Sequence, residues 1–163
     1  MVFILMGVSA TGKTTLGNAL AGATSGLFFD GDDYHPDSNR QKMASGVPLN
    51  DDDREPWLKT LAQLIADQAA KASPSFIACS ALKRSYRQLL RSKYPELQFL
   101  HLYASPELLR QRIIQRYETG EHFMPPELLD DQLATLEEPS DALPLDVSKS
   151  VEKLVAEFLN RFG

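Results

Sequence analysis

The chain has 163 residues, 43% of them apolar and 24% charged, with a formal net charge of −5: an ordinary globular composition, read as one domain over residues 1–163 with a real core. The acidic balance and the lack of a free-standing basic cluster exclude a nucleic-acid partner, and no apolar run is long enough to span a membrane. The lone Cys79, in the run Phe76–Cys79, excludes an internal disulfide and suits a buried strand in a reducing compartment, so with no basic leader before Val2 the cytoplasm is the expected setting.

Val2–Met6 predicts a buried strand. It runs directly into Gly7-Val8-Ser9-Ala10-Thr11-Gly12-Lys13-Thr14, a G-x-x-x-x-G-K-[ST] phosphate loop in the strand-to-helix setting its chemistry requires. Gly7 and Gly12 let the chain curl, so that N–H groups from Gly7 to Thr15 turn toward phosphate oxygens at the positive end of a helix. Lys13 is the expected catalytic cation on the β- and γ-phosphates, and the Thr14 hydroxyl an expected Mg²⁺ ligand, with ATP as the nucleotide.

Leu27-Phe28-Phe29 predicts a second strand, ending in Asp30-Gly31-Asp32-Asp33-Tyr34-His35-Pro36. Beside a phosphate loop, Asp30 can hold a water on the metal and Asp32 can take a proton from an attacking hydroxyl. Asp33 and Asp37 read as turn and cap residues. Arg40, Lys42 and Arg54 supply cations for an anionic acceptor, and Arg is the better fork for a carboxylate. The polar stretch 44–56 reads as a mobile insertion, with Asp51-Asp52-Asp53 opening a helix that carries Trp57, Leu58, Leu61, Leu64 and Ile65.

The third strand, Phe76–Cys79, leads to Ser80, placed to bind a substrate hydroxyl. Lys83, Arg87 and Arg91 share a helix face expected to meet mainly solvent, with Lys83 and at most Arg87 reaching the cleft. Phe99–Tyr103 is the fourth strand, and its His101 reads as structural. Arg112 and Arg116 share a face just before the Gly/Pro-bracketed segment 117–126, a candidate lid, whereas Arg110 reads as solvated. His122 and Phe123 are either substrate contacts or lid packing. Ala142–Val147 is a weak fifth strand, and a helix from Val151, capped by Ser148, ends the chain. This alternation implies a parallel sheet with helices on both faces and ligands beyond the strands' carboxyl ends.

Met6-Gly7-Val8-Ser9 through Lys13, Asp30-Gly31-Asp32 with His35-Pro36, and Lys42-Met43-Ala44-Ser45-Gly46 resemble the gluconate kinase family. So do Pro48 to Arg54 with Pro56-Trp57-Leu58, Cys79 to Lys83 with Tyr86-Arg87, Gly120 to Pro125, and Gln132, Thr135-Leu136-Glu137 and Pro139. The resemblance implies a three-layer P-loop kinase fold with a five-stranded parallel sheet, helices on both faces and a lid near 117–126. It implies ATP-dependent phosphorylation of D-gluconate at its 6-hydroxyl, and a homodimer. It also implies an acceptor-binding segment near 35–58, with Arg54 on the carboxylate, Asp32 on the acceptor hydroxyl, Arg112 on adenine and Arg116 on the phosphates. Arg40 is the alternative partner of the carboxylate, and His35, Ser80, Lys83 and His122 complete the expected acceptor site. The rivals are a kinase for shikimate or a nucleoside monophosphate, and an ATP-binding regulatory module without transfer. Where shikimate kinases carry three glycines after the third strand, this chain has Cys79-Ser80-Ala81.

Overall fold

A computed structural model describes residues 1–120 and 127–163. Its five parallel strands are ordered β2-β3-β1-β4-β5: β1 (Val2–Met6), β2 (Leu27–Asp30), β3 (Ser75–Ala78), β4 (Gln98–Tyr103) and β5 (Leu143–Asp146). All five residues of β1 are buried, as a central strand covered on both faces demands. Phe3 and Leu5 face one layer, where they meet Leu16 and Leu20 of α1 (Lys13–Thr24) and Leu154 and Phe158 of α7 (Val151–Phe162). Val2, Ile4 and Met6 face the other, against Trp57, Leu61 and Ile65 of α3 (Asp51–Ala69) and Tyr86 and Leu90 of α4 (Arg84–Leu90). A third cluster lies under the phosphate loop: Val8, Ala10 and Leu82 pack on Leu109 and Ile113 of α5 (Pro106–Glu118) and Leu129 of α6 (Glu127–Thr135). The expected doubly covered parallel sheet is present.

Three local expectations are corrected. The stretch 44–56 is not one insertion: α2 (Asp37–Ala44) ends inside it, and α3 starts at Asp51. The reason is a reciprocal cap, in which Asn50 Oδ1 accepts the Asp53 N–H (2.8 Å) and Asp53 Oδ2 accepts the Asn50 N–H (3.0 Å). The cap of α7 is Ser150, whose hydroxyl accepts the Lys153 N–H, and not Ser148. Ser148 is diverted: its hydroxyl donates to Asp146 Oδ1 at 2.7 Å and closes the turn after β5. The weak fifth strand is narrower than 142–147 and carries Pro144, which an edge strand pairing only with β4 tolerates.

Candidate active site

The phosphate loop bridges β1 and α1. Gly7 (φ 147°) passes so close to β4 that a Cβ would sit 2.5 Å from the Leu102 carbonyl oxygen, so only glycine fits. Its N–H donates to the Ser80 carbonyl (3.2 Å), which ties the loop to the end of β3. Gly12 (φ 81°) and Ala10 (φ 67°) take left-handed conformations, and a non-glycine there is strain of the kind active sites hold. The Thr11 hydroxyl donates to the Val8 carbonyl (2.9 Å). The Ser9 N–H donates to Gln132 Oε1 of α6 (2.7 Å). Lys13 Nζ donates to the carbonyls of Gly7 (2.9 Å) and Val8 (3.0 Å), folded over the mouth of its own loop. Burial lowers its pKa to about 8, against the opposing pull of Asp32, Cys79 and Asp30, while Arg116 adds to the lowering. Thr14 and Thr15 stand exposed on the first turn of α1, open to a ligand seated on the loop.

The acidic turn after β2 is rigid. Gly31 is pressed on β3, where a Cβ would lie 2.3 Å from the Ala78 oxygen. Asp30 Oδ1 accepts the Asp32 N–H (3.0 Å), and Trp57 Nε1 donates to the Gly31 carbonyl (2.8 Å). The Asp32 side chain is exposed beside His35, and its pKa is raised first by desolvation and then by the Asp30 charge, against Lys13. His35 is 8% exposed and stacks on Trp57 with ring centroids 4.1 Å apart. Arg40 folds back on this turn, donating to the carbonyls of His35 (3.2 Å) and Asp33 (2.6 Å), so much of its fork is engaged in holding the turn.

Opposite lies a cationic group built from two elements. Arg54 of α3 donates to the Tyr86 hydroxyl (3.1 Å), and Lys83, just before α4, donates to both Asp51 oxygens (3.0 and 3.2 Å). The Tyr86 hydroxyl also donates to Asp51 Oδ1, and Arg54 lies 4.0 Å from the same oxygen. Asp51 is thus held by two cations and a phenol, which lower its pKa through the Tyr86 and Lys83 hydrogen bonds first. Ser80 lies at the end of β3 between this group and the phosphate loop. His122 falls at 121–126, outside the described residues, as does most of the expected lid tip.

The 83/87/91 face departs from the solvent-facing expectation. Arg87 is 5% exposed and donates to the carbonyls of Ala81 (2.7 Å), Leu82 (3.1 Å) and Glu137 (2.8 Å), fixing the β3–α4 junction from behind. Arg91 pairs with Asp141 (2.6 Å) and lies over the Phe99 ring. Arg110 is likewise not simply solvated, since it pairs with Asp130 (2.7 Å). His101 is buried within β4, 3.7 Å from Glu138. Arg112 donates to the Val147 carbonyl (2.7 Å) at the carboxyl end of β5 and, with Gln115, Arg116 and Thr119, lines a recess of about 310 Å³. Sequence reasoning missed the parts that Asn39, Asp51, Trp57, Tyr86 and Gln132 play. Only the i, i+4 spacing of His35 and Asn39 was a signal that could have been used.

The AAA domain family model matches residues 2–139. The chain is 44% identical to the gluconokinase of Gluconobacter oxydans, over 87% of this chain and 78% of that one. It is 41% identical to a probable gluconokinase of Xenopus tropicalis, over 96% and 90%. The crystal structure of a gluconokinase from Sinorhizobium meliloti superposes with a TM-score of 0.83 at 41% identity, covering 98% of this chain and 89% of that one.

Proposed function

The chain belongs to the gluconokinase family, and we propose that it transfers the terminal phosphoryl group of ATP to the 6-hydroxyl of D-gluconate, releasing ADP and 6-phospho-D-gluconate. The most direct support is the 41–44% identity to a probable gluconokinase and a gluconokinase over 87–96% of this chain. Beside it stand three groups that a transferase uses: the phosphate loop with Lys13 on its own carbonyls, the Asp30–Asp32 turn with Asp32 4.0 Å from His35, and the Arg54, Tyr86, Lys83 and Asp51 group.

In this reading residues 7–15 cradle the phosphates with donors other than the Gly7 and Ser9 N–H groups, which the Ser80 carbonyl and Gln132 Oε1 engage, Lys13 leaves its loop carbonyls for the β- and γ-oxygens, and Arg116 adds charge there. Arg112, held flat against the β5–α7 turn, backs the adenine. Asp32 orients the 6-hydroxyl and receives its proton. Arg54 and Lys83 bind the carboxylate with Tyr86 beside them, Arg40, Ser80 and His122 complete the acceptor side, and the buried His35 stands behind Asp32 rather than on the substrate. Thr14 and, through water, Asp30 would hold Mg²⁺ arriving with ATP. Hard oxygen donors suit that ion, and among the described residues no three His, Cys, Asp or Glu form a separate metal cage. Bound there, the ion neutralises charge on the transferring group.

Domain and setting follow the same reading: one domain over 1–163, an acceptor segment at about 35–58, a lid at about 117–126, and a homodimer in the cytoplasm. Among the described residues no helix is long and apolar enough to cross a membrane.

A coupled ADP-release assay tests the proposal with D-gluconate, glucose, shikimate and AMP as acceptors. Turnover with gluconate and far weaker turnover with glucose are expected. Preference for shikimate or AMP would move the chain to another acceptor class, and slow hydrolysis indifferent to every acceptor would make it a regulatory module.

A further inference from the structure

His35 has its protonation pattern written by its neighbours. The Asn39 side-chain nitrogen lies 2.8 Å from the Asp53 carbonyl oxygen, which can only accept, so the atom there is the amide NH₂ and not its oxygen. The second hydrogen of that NH₂ meets His35 Nδ1 at 3.2 Å. Nδ1 is therefore an acceptor without a proton, and the single ring proton sits on Nε2. Nε2 is the atom that faces Asp32, 4.0 Å from Oδ1. Trp57, itself anchored to the Gly31 carbonyl, holds the ring plane, with planes 17° apart, and the Asn39 amide on Nδ1 selects which way round the ring lies.

We propose that His35 is a positioning residue for Asp32: Asn39 fixes the imidazole as its Nε2–H tautomer, and that N–H holds the Asp32 carboxylate toward the acceptor hydroxyl. The inference rests on the reading of Asp32 given above. At 4.0 Å the two groups are not hydrogen-bonded; the proposed contact forms when the exposed Asp32 side chain turns toward the ring as the acceptor binds. The ring's neutrality matters to the design. Burial first, then the charges of Arg40 and Arg54, lowers the His35 pKa to about 4. An imidazolium would pair with Asp32 and weaken it as a proton acceptor, whereas a neutral N–H orients the carboxylate and leaves its charge available.

Two arms test this. The first is the imidazole ¹⁵N spectrum of the native protein at pH 7, which needs no acceptor. A proton on Nε2 and none on Nδ1 is expected; the reverse tautomer overturns the proposal whatever the substrate proves to be. The second is kinetic. Gln at position 35 can place an amide N–H where Nε2 stands, and Asn there cannot reach. His35→Asn should lower kcat by at least about tenfold with KM for ATP and gluconate within about threefold, and His35→Gln should recover most of that loss. Equal losses in the two variants, or a rise in gluconate KM with kcat intact, overturn it, the latter by making the ring a substrate ligand. A failed acceptor panel would remove gluconate as the substrate and leave the tautomer result standing.

Discussion

The Ser9 N–H donates to Gln132 Oε1 across 2.7 Å, joining the phosphate loop to a helix 123 residues further along the chain. α6 follows the candidate lid, so its position and the loop's shape are linked through a partly buried hydrogen bond and the packing of Val8 and Ala10 on Leu129. Gln132→Ala strands that N–H at a cost of about 1–2 kcal/mol. The expected result is a KM for ATP raised more than kcat is lowered, together with a lower midpoint in urea. Unchanged ATP affinity would confine the contact to stability.

Lys13 is bonded to carbonyls of its own loop and to no core group. Lys13→Ala should therefore leave the urea midpoint almost unmoved while kcat falls about 10³-fold. Turnover near that of the unaltered protein would remove Lys13 from the chemistry.

Asp32 sits in the cleft on a turn held by Asp30, Trp57 and Arg40, none of which needs its carboxylate. Asp32→Asn should cut kcat about 10²–10³-fold with KM for ATP within about threefold. Parallel losses in kcat and ATP affinity would assign Asp32 to the nucleotide.

Cys79 continues the line of β3, 3% exposed, with its N–H on the Leu5 carbonyl (3.1 Å). Burial pushes its thiol up to about 12, so at pH 8 almost no thiolate exists and none is reachable. Iodoacetamide at pH 8 should label it only as the protein unfolds in urea, along the same curve as tryptophan fluorescence. The linkage has a definite sign. The unfolded thiol loses its proton near pH 9 and the folded one near 12, so this group's contribution to stability is intact below 9 and declines between 9 and 12. Rapid native labelling would show that the site opens locally.

What the sequence made legible and what it hid divide along one physical line. The phosphate loop was readable because backbone chemistry fixes glycines at set spacings, and Gly7 against Leu102 has no alternative. The sheet was readable because strands covered on both faces must be continuously apolar. Arg87 was not readable: a cation at i+4 from Lys83 looks the same whether it meets water or three carbonyls, and one of those carbonyls belongs to Glu137, 50 residues away. Tyr86 and Asp51, 35 residues apart, likewise meet only once α3 and α4 pack together. Ser148 and Ser150 are equally good caps by type, and the choice fell to Asp146, which captured the first.

Arg54 and Arg87 test whether the acceptor side has been read correctly, because two arginines near one pocket should fail in opposite ways. Arg54 is about one-third exposed and spends its reach on the Tyr86 hydroxyl and Asp51, at the mouth of the cleft. Arg54→Ala should raise the gluconate KM about 10–100-fold, the value of a charge-assisted pair, with little change in the urea midpoint. Arg87 serves only carbonyls behind the β3–α4 junction, and Arg87→Leu takes its donors from those of Ala81 and Glu137, while the Leu82 carbonyl keeps the Glu137 N–H (2.8 Å). It should cost about 2–4 kcal/mol of stability while the surviving folded enzyme keeps its gluconate KM. Glucose, which lacks the carboxylate, supplies the control: whatever weak turnover it supports should be indifferent to Arg54→Ala. If glucose and gluconate suffer alike, Arg54 is holding the pocket's shape, and the carboxylate must be met by Lys83.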